Sequence, residues 1–248
     1  MQSLRQRCTS EMLGTLSLVF IGTLAIVVNN EFDGVVSHLG IAIAFGLVVM
    51  TMIYAIGDVS GAHINPAVTI AFWVARRFPG NEVGPYIASQ LIGAVLASVL
   101  VRVMFPQDTV LGATLPGTDV GIAQAFVAEV CFTFLLMFVI LGVSTGAKEK
   151  GVMAGVAVGA LVLLAALIAG PISGASLNPA GRSARQSSRY RTTSPGISSC
   201  SCTSLPRRSE QAELCWAAAV CGRKIVARER PQFAASLNVT EASCLSTA

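Results

Sequence analysis

Two asparagines stand in the same eight-residue frame: Ser60-Gly-Ala-His-Ile-Asn65-Pro66-Ala67 and Ser173-Gly-Ala-Ser-Leu-Asn178-Pro179-Ala180. A neutral amide donates and accepts hydrogen bonds without charge. Asparagine is also a good helix N-cap, and proline suits the first helical position. The chemistry open to such a pair is recognition of a neutral hydrogen-bonding molecule, not the making of bonds. Two glutamates repeat with the asparagines, Glu11 54 residues before Asn65 and Glu129 49 residues before Asn178. Ionisable groups inside apolar runs are functional by default; the alternative for Glu11 is a solvated place near a helix end. His63 lies inside the first frame and is expected to hydrogen-bond backbone, since no second ligand is spaced for a metal. His38 falls in a short polar connection and is expected to be solvated. No nucleotide, metal or redox motif accompanies these residues, so no cofactor and no enzymatic chemistry are expected.

The elements that must position them are membrane spans. Of the 248 residues 53% are hydrophobic and 12% charged, and the mean hydropathy is +0.68, against about 25% charged in soluble domains. That excludes an ordinary soluble enzyme and a disordered chain. About 20 apolar residues cross a bilayer, and five runs qualify: roughly 11–28, 40–57, 83–105, 121–142 and 152–170. The first is read as a retained span, because no small-residue cleavage site follows it. Glycines inside the runs permit close helix approach. Basic residues mark the cytoplasmic side: Arg5 and Arg7, Arg76 and Arg77, and Lys148 and Lys150 alternate with connections that lack them, with Arg102 the exception. The N-terminus is therefore expected in the cytoplasm.

The chain is a duplication with a period of about 118 residues, since Glu11, Thr15, Leu18 and Phe20 recur as Glu129, Thr133, Leu136 and Phe138. An odd number of spans per half inverts the second half, a transport architecture. The apolar run from Pro66 to Val74 is too short to span, about 14 Å at 1.5 Å per residue. It predicts a half-helix that dips into the membrane, with irregular backbone tolerated only where it is buried or lines a wet cavity. Two such half-helices of opposite orientation would meet at their N-termini. Their positive ends would repel a cation or proton there, while the Asn65 and Asn178 amides could serve a neutral solute.

On SGAHINPAVT at 60–69, SGASLNPA at 173–180 and the paired glutamates, residues 1–180 resemble the major intrinsic proteins, the aquaporins and aquaglyceroporins. The resemblance implies an all-α membrane bundle of six spans and two re-entrant half-helices, a homotetramer with one pore per subunit, and passive conduction of water or small neutral solutes such as glycerol, peroxide, ammonia or metalloid acids. It implies pore motifs at Asn65, Pro66, Ala67, Asn178, Pro179 and Ala180. It gives Glu11 and Glu129 a structural role as acceptors for loop backbone. It places a constriction at Phe45, Ala166, Ala175 and an arginine directly after the second motif. Gly181 occupies that last position here, and Arg182 follows one residue late. Phe, Ala, Ala implies a less polar and wider constriction than a strict water pore, with water still favoured. The expected partners are water, small neutral solutes and the lipid bilayer of a plasma or inner membrane. An inverted-repeat secondary transporter is the alternative, but it would want charged groups at the midplane.

The pattern breaks after Ala180. The first repeat covers about 1–117 and the second, 118–180, stops short of a sixth span. Residues 1–180 carry seven Lys/Arg and nine Asp/Glu, whereas 181–248 carry ten and four, with twelve serines and five of the seven cysteines. The longest apolar run there, Leu214 to Cys221, has eight residues. Cys200, Cys202, Cys215 and Cys221 form no convincing zinc spacing. Asn238-Val-Thr240 fits a glycosylation sequon, a low-specificity match. The basic tail has no nucleic-acid motif, so no nucleic-acid partner is expected. Two origins remain for this segment, a disordered divergent tail or a reading-frame slip. Gly-Arg-Ser-Ala-Arg-Gln-Ser can be encoded by bases that, read one base earlier, give Arg-Ser-Val-Gly-Gln-Ala. The chain as written would then be a non-functional truncated channel, and a tetramer would need the sixth span restored. Sequencing DNA across the Ala180 codon checks this: the frame one base earlier is expected to encode an apolar run of about 20 residues. Lack of such a run makes the tail a genuine divergent end.

Overall fold

The computed structural model describes residues 2–108, 112, 120–144, 152–181 and 183. All lie in the first of the chain's two units, Met1–Ser194. They form α1 (Leu4–Glu31), α2 (Ser37–Ser60), α3 (Pro66–Val74), α4 (Gly80–Met104), α5 (Ile122–Val143) and α6 (Ala154–Ser173). Residues 179–181 and 183 are again helical. Five of the helices, all but the nine-residue α3, are long and apolar enough to cross a membrane. The cysteines and the sequon of the tail, and Arg182, lie outside the described residues.

Local chemistry sets the helix ends. Ser3 caps α1 in a capping box with Gln6, so the helix begins seven residues before the apolar run expected at 11. Arg7 on this added turn pairs with Glu82 of α4 at 2.5 Å. Helices α2 and α6 both end on a left-handed glycine, Gly61 at φ 87° and Gly174 at φ 81°. No other residue adopts that conformation so readily. Asn65 caps α3 through its side chain, with Pro66 at the first helical position.

Helix α1 packs on α2 and α4, α2 on α6, α5 on α6, and α3 on α4. The largest apolar cluster draws on both repeats: Leu18, Val48, Val49 and Ile64 from the first, Leu136 and Val158 from the second. Elsewhere apolar side chains face outward. Ile122, Phe126, Phe134 and Phe138 of α5 are 88, 69, 66 and 67% exposed. In water such a face would drive aggregation; in a bilayer it is the surface that lipid covers. The chain is an integral, multi-pass membrane protein.

The contact between α2 and α6 is made by backbone against backbone. A Cβ on Gly46 would lie 2.7 Å from the Gly159 carbonyl oxygen, and one on Gly159 2.7 Å from that of Gly46. Neither carbonyl can yield without parting the helices. Gly159→Val is therefore expected to destabilise the protein by roughly 1–3 kcal/mol through overpacking. Gly142→Ala, in open space, is expected to be neutral or slightly stabilising by helix propensity. Unfolding monitored by circular dichroism in detergent checks the pair, and equal effects at both glycines would contradict the account.

Candidate functional site

The two loops that follow α2 and α6 share one backbone path. After Gly61, Ala62 has φ 47° and Ile64 φ 42°; after Gly174, Ala175 has φ 43° and Leu177 φ 42°. Left-handed φ is costly for a residue with a Cβ and uncommon for a β-branched one such as Ile64. Such a path persists only where the surroundings over-determine it.

A carboxylate over-determines each loop. Glu11 Oε1 accepts from Ser60 Oγ at 2.7 Å and the His63 N–H at 2.9 Å. Its Oε2 accepts from the Ile64 N–H at 2.6 Å and Gln90 Nε2 at 2.8 Å. All four partners donate, which suits an acceptor-only carboxylate, and Glu11 is completely buried. Glu129 makes the same contacts in the second repeat, from Ser173 Oγ at 2.7 Å, Ser176 N–H at 2.9 Å and Leu177 N–H at 3.0 Å. The two sites differ in one donor. Nothing among the described residues stands to Glu129 as Gln90 stands to Glu11, and Glu129 is only half-buried. Each serine hydroxyl also accepts from the N–H two residues on, Ser60 from Ala62 and Ser173 from Ala175, both at 3.2 Å.

The asparagines then lock the loops together. Asn65 Nδ2 donates to the Leu177 carbonyl at 2.8 Å, and Asn178 Nδ2 donates to the Ile64 carbonyl at 2.9 Å. Their Oδ1 atoms accept from Ala67 N–H at 2.9 Å and Ala180 N–H at 3.1 Å. Two helix starts thus meet at one place, Pro66 opening α3 and Pro179 opening the turn at 179–181. One hydrogen of each amide is committed to the opposite loop, so each asparagine has a single N–H left to offer.

Both asparagines line a cavity of about 350 Å³. Phe45 on α2, Ala166 on α6, Ala175 on the second loop and Gly181 line the same cavity. The Phe45 ring is seated on Gly22, where any Cβ would collide with it. Glu11 and Glu129 do not line the cavity; they stand behind the loops. Arg182 lies outside the described residues. Ser176, the counterpart of His63, lines the cavity with a hydroxyl that has no partner among the described residues.

His63 departs from its expected partner, whereas His38 is exposed as expected and differs in its element and in the bond it makes. Among the described residues the His63 ring bonds a side chain and no backbone: its Nδ1 lies 3.2 Å from Thr69 Oγ1. The ring stacks on Phe72 at 4.7 Å, with Phe78 and Tyr86 at its edges. Tyr86 in turn donates to the Ser60 carbonyl at 2.9 Å, and Gln90 Nε2 also reaches Thr69 at 3.0 Å. His38 is not in a loop but in the first turn of α2, where its Nε2 lies 2.7 Å from the Leu167 carbonyl. It lines the cavity as well. Sequence spacing could not pair positions 129 residues apart; the one available signal was Pro171 inside an apolar run.

Comparison with known proteins agrees with this geometry. The major intrinsic protein profile matches residues 1–186. The chain is 50% identical over 177 residues to aquaporin NIP1-1 of Oryza sativa subsp. japonica, covering 71% of this chain and 61% of that one. It is 45% identical over 177 residues to nodulin-26 of Glycine max, covering 71% and 64%. The chain thus spans about three fifths of the length of the curated relatives it matches. The aquaglyceroporin of Plasmodium falciparum superposes with a TM-score of 0.68 at 23% identity, over 77% of this chain and 83% of that one; at that identity the likeness is one of fold.

Removing the Glu11 carboxylate leaves four donors buried, each unmade bond costing roughly 1–3 kcal/mol. Glu11→Ala is expected to destabilise the protein by on the order of 3–5 kcal/mol, and Glu129→Ala by clearly less. Unfolding free energies of the two variants in mixed micelles check the order, and a larger loss at Glu129 would refute it.

Proposed function

The chain belongs to the major intrinsic protein family, and from that premise we propose that it is a passive membrane channel for water and small neutral solutes that excludes protons and ions. One observation carries the reading: the reciprocal Asn65–Leu177 and Asn178–Ile64 hydrogen bonds bring two helix starts to one cavity. The positive ends of the helices disfavour a cation. The single free N–H of each asparagine gives a passing water two donors and no acceptor, so its oxygen is held and its protons cannot be handed on through that point. Asn65, Pro66, Ala67, Asn178, Pro179 and Ala180 are the pore motifs in this proposal. Phe45, Ala166 and Ala175, with Arg182, form the constriction. Its mostly apolar wall suits glycerol, peroxide, ammonia or metalloid acids beside water. The pore domain is 1–180, the N-terminus is cytoplasmic in a plasma or inner membrane, and four copies assemble once a sixth span is present.

A coupled transporter fits less well. Such a protein needs a charged group free to bind its ion, and both glutamates are engaged by loop donors. A second reading does have support: the 248-residue chain is a poor conductor. The asymmetry between Glu11 and Glu129 favours it, because the second loop lacks a Gln90-like donor among the described residues.

In proteoliposomes under an osmotic step, the 248-residue chain is expected to raise water permeability little above bare lipid. A chain continued past Ala180 in the alternate frame is expected to raise it strongly. Proton flux should stay at the bare-lipid level in both. Proton flux that rises with water flow would overturn the exclusion, and rapid water flow through the 248-residue chain would overturn the second reading.

A further inference from the structure

Pro171 lies inside α6 and has no N–H, so the Leu167 carbonyl four residues earlier loses its helical partner. That carbonyl, freed at the cavity side of the bundle, is open to a donor from a neighbouring helix. His38 supplies it from a different helix, with Nε2 2.7 Å from that oxygen. The approach is close because residue 170 is glycine: a Cβ there would fall 2.7 Å from His38 Cε1. Three features therefore fit one another across two helices, Pro171 that strands the carbonyl, Gly170 that admits the ring, and His38 that closes the bond.

The bond fixes the chemistry of the other ring nitrogen. A carbonyl only accepts, so the hydrogen is on Nε2, and in a neutral imidazole Nδ1 is then a lone-pair acceptor. Nδ1 has no hydrogen-bond partner among the described residues, and His38 lines the cavity that Phe45 and Ala166 also line. Ala166 precedes Leu167, so the tether also holds the stretch of α6 that carries one side of the pore wall.

Resting on the channel reading above, we propose that His38 is a further specificity-determining residue, whose Nδ1 accepts a hydrogen bond from neutral solutes carrying O–H or N–H groups as they pass the apolar wall. Solutes that only accept gain nothing from it.

The chain has two histidines, so nitrogen-15 labelling of histidine in the full chain, held in lipid nanodiscs, gives few signals, and His38→Gln assigns them by loss. Spectra are recorded above the imidazole titration, located from the same signals. The expected result is a His38 ring protonated at Nε2 with an Nδ1 signal that glycerol shifts progressively and 1,2-dimethoxyethane, which has no donor, does not. A ring protonated at Nδ1, an Nδ1 signal that glycerol leaves in place, or equal shifts with both solutes would overturn the proposal. In liposomes of the chain continued past Ala180 in the alternate frame, His38→Leu should lower the glycerol-to-water permeability ratio several-fold while His38→Gln, which keeps a donor and an acceptor, holds it. An unchanged ratio in a conducting His38→Leu variant also overturns it. If no form conducts, the channel reading fails and the nitrogen-15 titration still decides the role of His38.

Discussion

Backbone that leaves a helix among membrane spans has no water to satisfy it, so each N–H and carbonyl needs a named partner inside the protein. This constraint shapes the whole site. Glu11 and Glu129 take the N–H groups of the loops, the serines at the helix ends take more, and the asparagines take the carbonyls of Ile64 and Leu177. Once those partners are fixed, the left-handed residues between them have nowhere else to go. The strain of Ile64 at φ 42° is offset by satisfied hydrogen bonds at both its N–H and its carbonyl. The half-helix α3 starts where it does because this is where the loop returns to helical bonding.

The same logic explains why many of the buried polar side chains gather at the two loops. Thr69 receives Gln90 and lies against His63, Tyr86 holds the Ser60 carbonyl, and His38 holds the Leu167 carbonyl. Around this polar seam the packing is apolar and, at Gly46 and Gly159, reduced to bare backbone. The outward face of α5 is apolar in a different sense: it packs against nothing among the described residues, and is left for lipid to cover. Polar atoms therefore mark the irregular backbone, and small residues mark the close helix crossings.

Much of this was legible in the sequence because duplication amplifies weak signals. A lone Asn-Pro-Ala is a turn; two in matching halves, with matching glutamates upstream, define an architecture. The five spans were read from hydropathy, and the nine residues of α3 from one capped apolar run. Hydropathy placed the start of α1 too late, because Leu4–Ser10 is polar yet helical, stabilised by the Ser3 cap and the Arg7–Glu82 pair. The side-chain partners of His63 and His38 were hidden for another reason. Each depends on rings or carbonyls that folding alone brings near, and nothing in local spacing encodes a contact between positions 38 and 167. Nor did the sequence reveal that each asparagine commits one hydrogen to the opposite loop, since that requires knowing how near the loops come.

The reciprocity of those asparagines also bears on how the protein is made. Asn65 waits for Leu177 and Ile64 for Asn178, partners 112 and 114 residues further along the chain. At about 5–20 residues per second of synthesis, the first loop is complete some 6–23 seconds before its partners exist. During that interval Glu11 can already hold its N–H groups, but the Ile64 carbonyl has no donor from the chain itself. The first repeat therefore enters the membrane with an open polar spot that water, lipid headgroups or the insertion machinery must serve. The cavity is closed by the second loop, which makes biogenesis, and not only the proposed permeation, sensitive to any change near Asn178.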